Sequence, residues 1–187
     1  MDERQRALVY AFLSRMFANV LDKKLLLELQ KDDAILEMLL ADEKAWFLTT
    51  PLEALEEALN VDFSSLFLMN SMPIESSILD DKDEVLVGLQ NPVMQFYFEH
   101  GYELNLQHSP LQAPDHLSLE CGFMQNLILK NETHAQMAFL EKHLLNWAPL
   151  YLLGIQSMAQ TPFYQALCEF GAEFLMADYE MVLAQNG

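Results

Sequence analysis

The sequence predicts an all-α fold, a single-domain helical bundle, and three observations predict it. Apolar residues recur at three- and four-residue intervals over most of the chain. Six Gly and seven Pro in 187 residues are too few turn formers for a many-stranded sandwich or barrel. At 52% apolar residues the chain can fill a core, and at this length folding hides roughly 70% of the unfolded surface. The expected organisation is one domain over 1–187, with an N-terminal half (1–103), a hinge (104–114) and a C-terminal half (115–187).

The first expected helix, 3–21, has two apolar stripes: Leu8, Ala11, Phe12 and Met16, and Tyr10, Leu13, Phe17 and Leu21. Such a helix is covered on more than one side. Arg4, Arg6 and Arg15 are spaced as ordinary helix-surface charges. Shorter helices are expected over 23–30, 33–41 and 51–59, the last with Thr50 as N-cap, Pro51 at the first helical position and Glu53 three residues after the cap. Residues 61–69 form another helix or a buried strand, the run being too short for periodicity to decide. Residues 70–83 break the pattern with Ser71, Pro73, Ser76, Ser77 and Asp80–Asp81, a loop with room for one helical turn. A helix over about 84–100 follows, kinked or broken at Pro92, with Gly101 as its left-handed cap. Residues 104–114 carry Pro110 and Pro114 and read as a linker. Asp115 opens the next helix, with Leu117, Cys121, Met124, Leu127 and Ile128 on its face. Helices over 131–146 and 147–160 follow, with Pro149 early in the second. Thr161 then caps a last helix beginning at Pro162 and running to about Leu183. The sequence contains no internal repeat or low-complexity tract.

Acids outnumber bases 28 to 10, a net charge of −18. That charge repels phosphate backbones and anionic lipid, so nucleic acid and membrane surfaces are not expected partners. Between Asp83 and Leu129 there is no Lys or Arg, while Asp83, Glu84, Glu99, Glu103, Asp115 and Glu120 are acidic. A surface built from that stretch attracts a cationic partner. The first residues lack a basic region, a continuous apolar run and a cleavage site, and no run of eighteen apolar residues occurs. A soluble, cytoplasmic protein is therefore expected. Cys121 and Cys168 are either two reduced thiols, the simpler account, or one disulfide.

No GxxxxGK[ST], GxGxxG, GxSxG or HExxH occurs, so the usual phosphate, dinucleotide, hydrolase and zinc sites lack their signatures. None of the five His has Glu three residues before it, as a di-iron bundle requires. His100 with Glu103 and His116 with Glu120 are isolated pairs, so no metal or cofactor is expected. The densest polar cluster is Pro114–Asp115–His116 with Glu120, His116 and Glu120 sharing a face at i, i+4. One reading is a capped helix with a locally bonded His. The other is a polar lip that accepts a guanidinium from a partner. Trp147 leans towards a core role over a groove wall.

Four segments carry a resemblance. They are Gln-Ala-Pro-Asp-His-Leu-Ser-Leu-Glu-Cys-Gly-Phe-Met over 112–124, Phe-Tyr-Phe-Glu-His-Gly-Tyr over 96–102, Phe-Leu-Glu-Lys-His-Leu-Leu-Asn-Trp-Ala-Pro over 139–149, and Pro-Ile-Glu-Ser-Ser-Ile over 73–78. The first resembles the Glu-Pro-x-Asp-His-(Leu/Ile)-x-x-Glu-(Leu)-x-x-Met signature of the TorD/DmsD family, which includes the NarJ-type chaperones. The second is similar to the family's aromatic helix ending in Gly, the third to its Phe-x-x-x-His-(Leu)-x-x-Trp-x-Pro stretch, and the fourth to its Pro-x-x-Ser-(Val) element. Order and spacing hold across 73–149. Gln112 and Ala113 depart from the usual Glu and Pro.

The resemblance implies a non-enzymatic chaperone. It would bind the twin-arginine leader and the apo catalytic subunit of a molybdopterin oxidoreductase, assisting cofactor insertion and proofreading before export. On the family's pattern the peptide or partner site takes in Asp115, His116, Glu120, Pro114, Gly101, Tyr97 and Ser76. Eleven Met and twelve Phe could line an apolar groove beside acidic acceptors. The family's exchange of helical segments makes a monomer and a helix-swapped dimer both open. A second reading is a small all-helical enzyme, hydrolytic or metal-dependent, using Asp115, His116 and Glu120.

Overall fold

The computed structural model describes residues 1–41, 43–79, 88–104, 111 and 113–186, and every named element among them is helical. The fold is all-α. Contacts group the chain into two compact units: Met1–Ala18, Pro73–Tyr151 and Glu173–Gly187 in the first, Asn19–Met72 and Leu152–Ala172 in the second. Residues of both expected halves, 1–103 and 115–187, meet within the first unit. Most of the expected hinge, 105–110 and 112, lies outside the described residues.

In the first unit, α1 (Glu3–Ala18) starts with a reciprocal cap. The N–H of Gln5 donates to Asp2 Oδ1 and the N–H of Asp2 to Gln5 Oε1. Tyr10, Leu13 and Phe17 of one expected stripe are buried, although its last member, Leu21, lies beyond the helix end in the second unit; of the other stripe Met16 is buried and Leu8 is exposed. Arg6 is not a surface charge. It is 1% exposed, its guanidinium forks onto both oxygens of Asp178 in the last helix, and it also donates to Gln136. The Tyr10 hydroxyl donates to Asp178 Oδ2 at 2.9 Å. Periodicity could not reveal this, because the partner is 172 residues away.

After α6 (Glu75–Leu79), the single turn expected in the 70–83 loop, comes a 3₁₀ turn at Gly88–Gln90. Residues 80–87, where the expected 84–100 helix begins, lie outside the described residues. Pro92 breaks rather than kinks that helix. It is the first residue of α7 (Pro92–Glu99), and Asn91 Oδ1 accepts from the N–H groups of Val93 and Met94. Gly101 closes α7 at φ +62°, with Gly101 N–H donating to Phe98 O and Tyr102 N–H to Tyr97 O, a Schellman cap.

Helix α8 (Leu117–Leu129) packs along α1, where the Ser118 hydroxyl donates to Ser14 O at 2.6 Å. It ends in a second Schellman cap with Asn131 at φ +56°. Asn131 therefore closes one helix instead of opening the next. Helix α9 (Thr133–Phe139), a π turn (Leu140–Leu144) and α10 (Leu145–Gln156) run on without the break expected at 146–147, and Pro149 lies inside α10. Phe96, Tyr97, Phe123 and Phe139 form the aromatic core of this unit, with centroid separations of 4.6 to 6.1 Å.

The second unit holds α2 (Lys23–Leu29), α3 (Asp33–Leu40), α4 (Lys44–Thr49) and α5 (Leu52–Phe63). Helix α5 continues as a π segment through Ser64–Asn70, so residues 61–69 are helical and not a strand. Helix α4 was not expected. It is a short helix of six residues, and Lys44 ties it to Asp33 and Glu37 of α3. Thr50 caps α4 and not α5, its hydroxyl donating to Trp46 O at 2.7 Å. Asp62 is 2% exposed and accepts from the N–H groups of Gln160 and Thr161 and from the Thr161 hydroxyl. That fixes the start of α11 (Pro162–Asn186), where Thr161 is the expected cap. Phe47 stacks on Phe163 at 5.7 Å. Among the described residues no helix is long and apolar enough to cross a membrane.

Asp178→Leu alone leaves the Arg6 guanidinium buried without its counter-ion, so it should lower unfolding stability by about 3–5 kcal/mol. Asp178→Leu together with Arg6→Met should cost much less, as read by equilibrium urea denaturation.

Candidate functional site

The site is assembled where two distant segments zip together in the first unit. Ile74 and His116 form an isolated antiparallel bridge, Glu75 N–H donates to Asp115 O, and Leu117 N–H donates to Pro73 O, both at 2.9 Å. Asp115 does not cap its own helix. Its Oδ2 accepts from Ser76 N–H at 2.8 Å, at the start of α6, and His116 takes the N-cap position of α8. His116 Nδ1 accepts from Ser118 N–H at 3.2 Å. The Tyr97 hydroxyl donates to Pro114 O at 3.1 Å.

Six of the seven expected residues, Ser76, Tyr97, Pro114, Asp115, His116 and Glu120, are thus buried together. Gly101 is exposed, and its part is the backbone turn that ends α7. Gln112 lies outside the described residues. Ala113, its neighbour in the altered signature, is buried. The acidic stretch does not form one surface. Glu99 and Glu103 are exposed and Asp115 and Glu120 are buried, while Asp83 and Glu84 lie outside the described residues. Trp147 is a core residue, 1% exposed.

Glu75 and His143 belong to the cluster and were not among the expected site residues. His143 Nδ1 lies 3.1 Å from each oxygen of the Glu75 carboxyl group. His143 sits in the π turn, which inserts an extra residue into the helix. The signal was available, because both residues lie in segments that carry the family resemblance. What could not be read is that those segments meet.

A cavity of about 330 Å³ opens beside this cluster, lined by Glu75, Ser76, Leu79, Asn91, Pro92, Val93 and Asp115. Asp115 is 1% exposed, and its Oδ1 has no hydrogen-bond partner. Burial pushes the Glu120 carboxyl well above its ordinary pKa, and the negative charges of Glu75 and Asp115 add to the shift. The Trp147 indole opposes that shift, although no direct hydrogen bond forms. Burial lowers the His116 pKa to about 4, against the opposing pull of Asp115. His116 is therefore neutral at pH 7, and its Nδ1 lone pair is committed to the cap. Both cysteines are free buried thiols, with Cys168 pushed up to about 12 by burial. Among the described residues no three His, Cys, Asp or Glu side chains are grouped to hold a metal. The cavity thus combines two acidic residues, Glu75 and Asp115, with the apolar walls of Leu79, Pro92 and Val93.

Residues 24–152 match the family described as nitrate reductase delta subunit. The chain is 26% identical to the chaperone protein TorD of Shewanella oneidensis over 95% of its own length and 90% of the relative's. It is 23% identical to the chaperone protein TorD of Aggregatibacter aphrophilus over 94% and 89% of the two chains. It is 30% identical to the perchlorate reductase assembly chaperone protein of Dechloromonas aromatica over 65% and 62%. No solved structure matches.

The two shifted groups pull stability in opposite directions. From pH 6.5 down to about 4 the unfolded chain protonates His116 more readily than the folded one, so the His116 contribution falls with pH, by about 3 kcal/mol in all. His116→Asn keeps a capping acceptor and should flatten that loss. Glu120 holds its proton more tightly when folded, so its contribution falls as pH rises above the ordinary Glu value of 4.5. Glu120→Gln should gain stability relative to the parent between pH 5 and 8. Urea titrations across pH 4–8 check both signs.

Proposed function

Since the chain belongs to the nitrate reductase delta subunit family, together with the TorD chaperones, it is a redox-enzyme maturation chaperone and not an enzyme, and we propose that its Asp115 cavity binds the twin-arginine leader of an apo molybdopterin oxidoreductase. On this reading the chaperone acts in the cytoplasm. It holds the catalytic subunit until cofactor insertion is finished and only then releases it for export.

One observation carries the reading: the Asp115 carboxyl. One of its oxygens accepts from Ser76 N–H, the other is buried without a partner, and the residue lines a cavity with apolar walls. Burying a carboxyl without a full set of donors costs about 1–3 kcal/mol or more per missing partner, so an arriving cationic donor is well rewarded. A leader offers guanidinium groups followed by an apolar stretch that tends to be helical. Leu79 and Val93 line the cavity, and Ile78 and Leu79 of α6 are exposed beside it. Such a ligand needs an acceptor next to apolar surface. Every lining residue comes from the first unit.

The test is fluorescence anisotropy with a labelled peptide carrying two adjacent arginines and an apolar stretch. The parent protein should bind it saturably, and replacing both arginines with glutamine should weaken binding. Asp115→Asn, which keeps an oxygen for Ser76 N–H, should cost about tenfold in affinity. Absence of binding by a folded parent protein refutes the reading. Affinity capture from the native cytoplasm, with mass spectrometry of the bound proteins, should recover a leader-bearing molybdoenzyme subunit.

A further inference from the structure

We propose that Glu75, held in place by His143, is the residue that makes the cavity select a guanidinium-bearing peptide over a neutral peptide of the same shape. The proposal rests on the peptide-binding reading above and adds the specificity element to it.

Asp115 by itself is an incomplete partner for a guanidinium. Its Oδ2 is already engaged by Ser76 N–H, which leaves Oδ1 as the oxygen without a partner. A guanidinium presents five N–H donors in a planar fork and is matched best by acceptors on more than one side. Glu75 supplies the second carboxyl group. It lines the same cavity, and its backbone N–H donates to Asp115 O, so the two acidic residues lie on abutting strands of backbone.

The Glu75 side chain is fixed rather than mobile. His143 Nδ1 is equidistant, at 3.1 Å, from Oε1 and Oε2, so in the Nδ1–H tautomer one donor serves both oxygens and leaves them lone-pair capacity. His143 is 5% exposed and is wedged against Phe96 and Phe139, with ring centroids 5.8 and 5.0 Å away. An imidazole packed against a pair of touching aromatic rings has reduced freedom, and so has the carboxyl group it grips. The third acid, Glu120, is pushed towards its protonated form by burial first and then by the charges of Glu75 and Asp115. Asp115 with a pre-oriented Glu75 is therefore a seat for one guanidinium, and its charge and fork geometry are what a neutral isostere lacks.

The experiment titrates the full chain with two peptides that are identical except that the arginines of one are citrullines. Citrulline keeps the shape and removes the charge. The quantity read is the ratio of the two affinities. The parent protein should prefer the arginine peptide by at least about tenfold. Glu75→Gln, nearly isosteric, should erase most of that ratio while leaving the citrulline affinity in place. His143→Leu should do the same. His143→Asn, whose amide N–H takes the place of Nδ1–H, should restore the ratio to within about threefold of the parent, a recovery that general loosening of the fold does not produce. Thermal unfolding of each variant identifies any that fail to fold, and Glu75→Gln carries the test if both His143 variants do. A parent that binds both peptides equally overturns this proposal and leaves peptide binding standing, whereas failure to bind either peptide overturns both. A ratio unchanged in Glu75→Gln overturns the proposal, as does His143→Asn behaving like His143→Leu.

Discussion

Residues 73–76 and 115–117 are joined by two backbone hydrogen bonds, and the Asp115 carboxyl adds a third bond to the N–H of Ser76. Tyr97 secures the approach to this junction through its bond to Pro114 O. Four such bonds contribute about 1 kcal/mol each net. Closing the intervening chain of roughly forty residues costs on the order of 3 kcal/mol or more in entropy. The zipper by itself therefore does little better than balance its own closure. It persists because the two side chains that hold its strands, Tyr97 at Pro114 O and His143 at Glu75, are themselves packed on the aromatic core of Phe96, Phe123 and Phe139.

That core in turn depends on how the helices around it end. Pro92 and Asn91 fix the start of α7, and Gly101 fixes its finish in a left-handed turn that brings Tyr102 back against Tyr97. Asn131 does the same for α8. The π turn at Leu140–Leu144 carries His143 to Glu75. Helix ends, more than helix faces, decide where the polar groups of the site lie. The Arg6–Asp178 pair contributes differently, since it links the first helix to the last through a fork with little tolerance for error.

A chain with a net charge of −18 has many carboxylates, and most of those among the described residues are exposed. Those at the site are distinguished by burial, which separates their roles. Asp115 keeps one oxygen without a partner, Glu75 is gripped by an imidazole, and Glu120 is driven towards its neutral form by burial and then by the charges of the other two. Three acids of similar intrinsic chemistry thus sit in three different electrostatic states. Their surroundings account for the difference.

The sequence by itself determined the all-α class, most helix positions, the αL role of Gly101 and the family signature, because these depend on local periodicity, capping chemistry and residue order. Some local readings still failed where two local options competed. Thr50 closes the helix before it, Asp115 caps the turn at Ser76 instead of its own helix, and the unbroken helix across 146–147 absorbs Pro149. Six of the seven expected site residues lie together, yet Glu75 and His143 were not legible as members of the site, and Arg6 read as a surface charge. Each of these depends on a partner 68 to 172 residues away, and a one-dimensional pattern does not encode that distance. Only the tertiary structure decides which buried polar group meets which, because hydrogen-bond pairing is short-ranged in space and indifferent to separation along the chain.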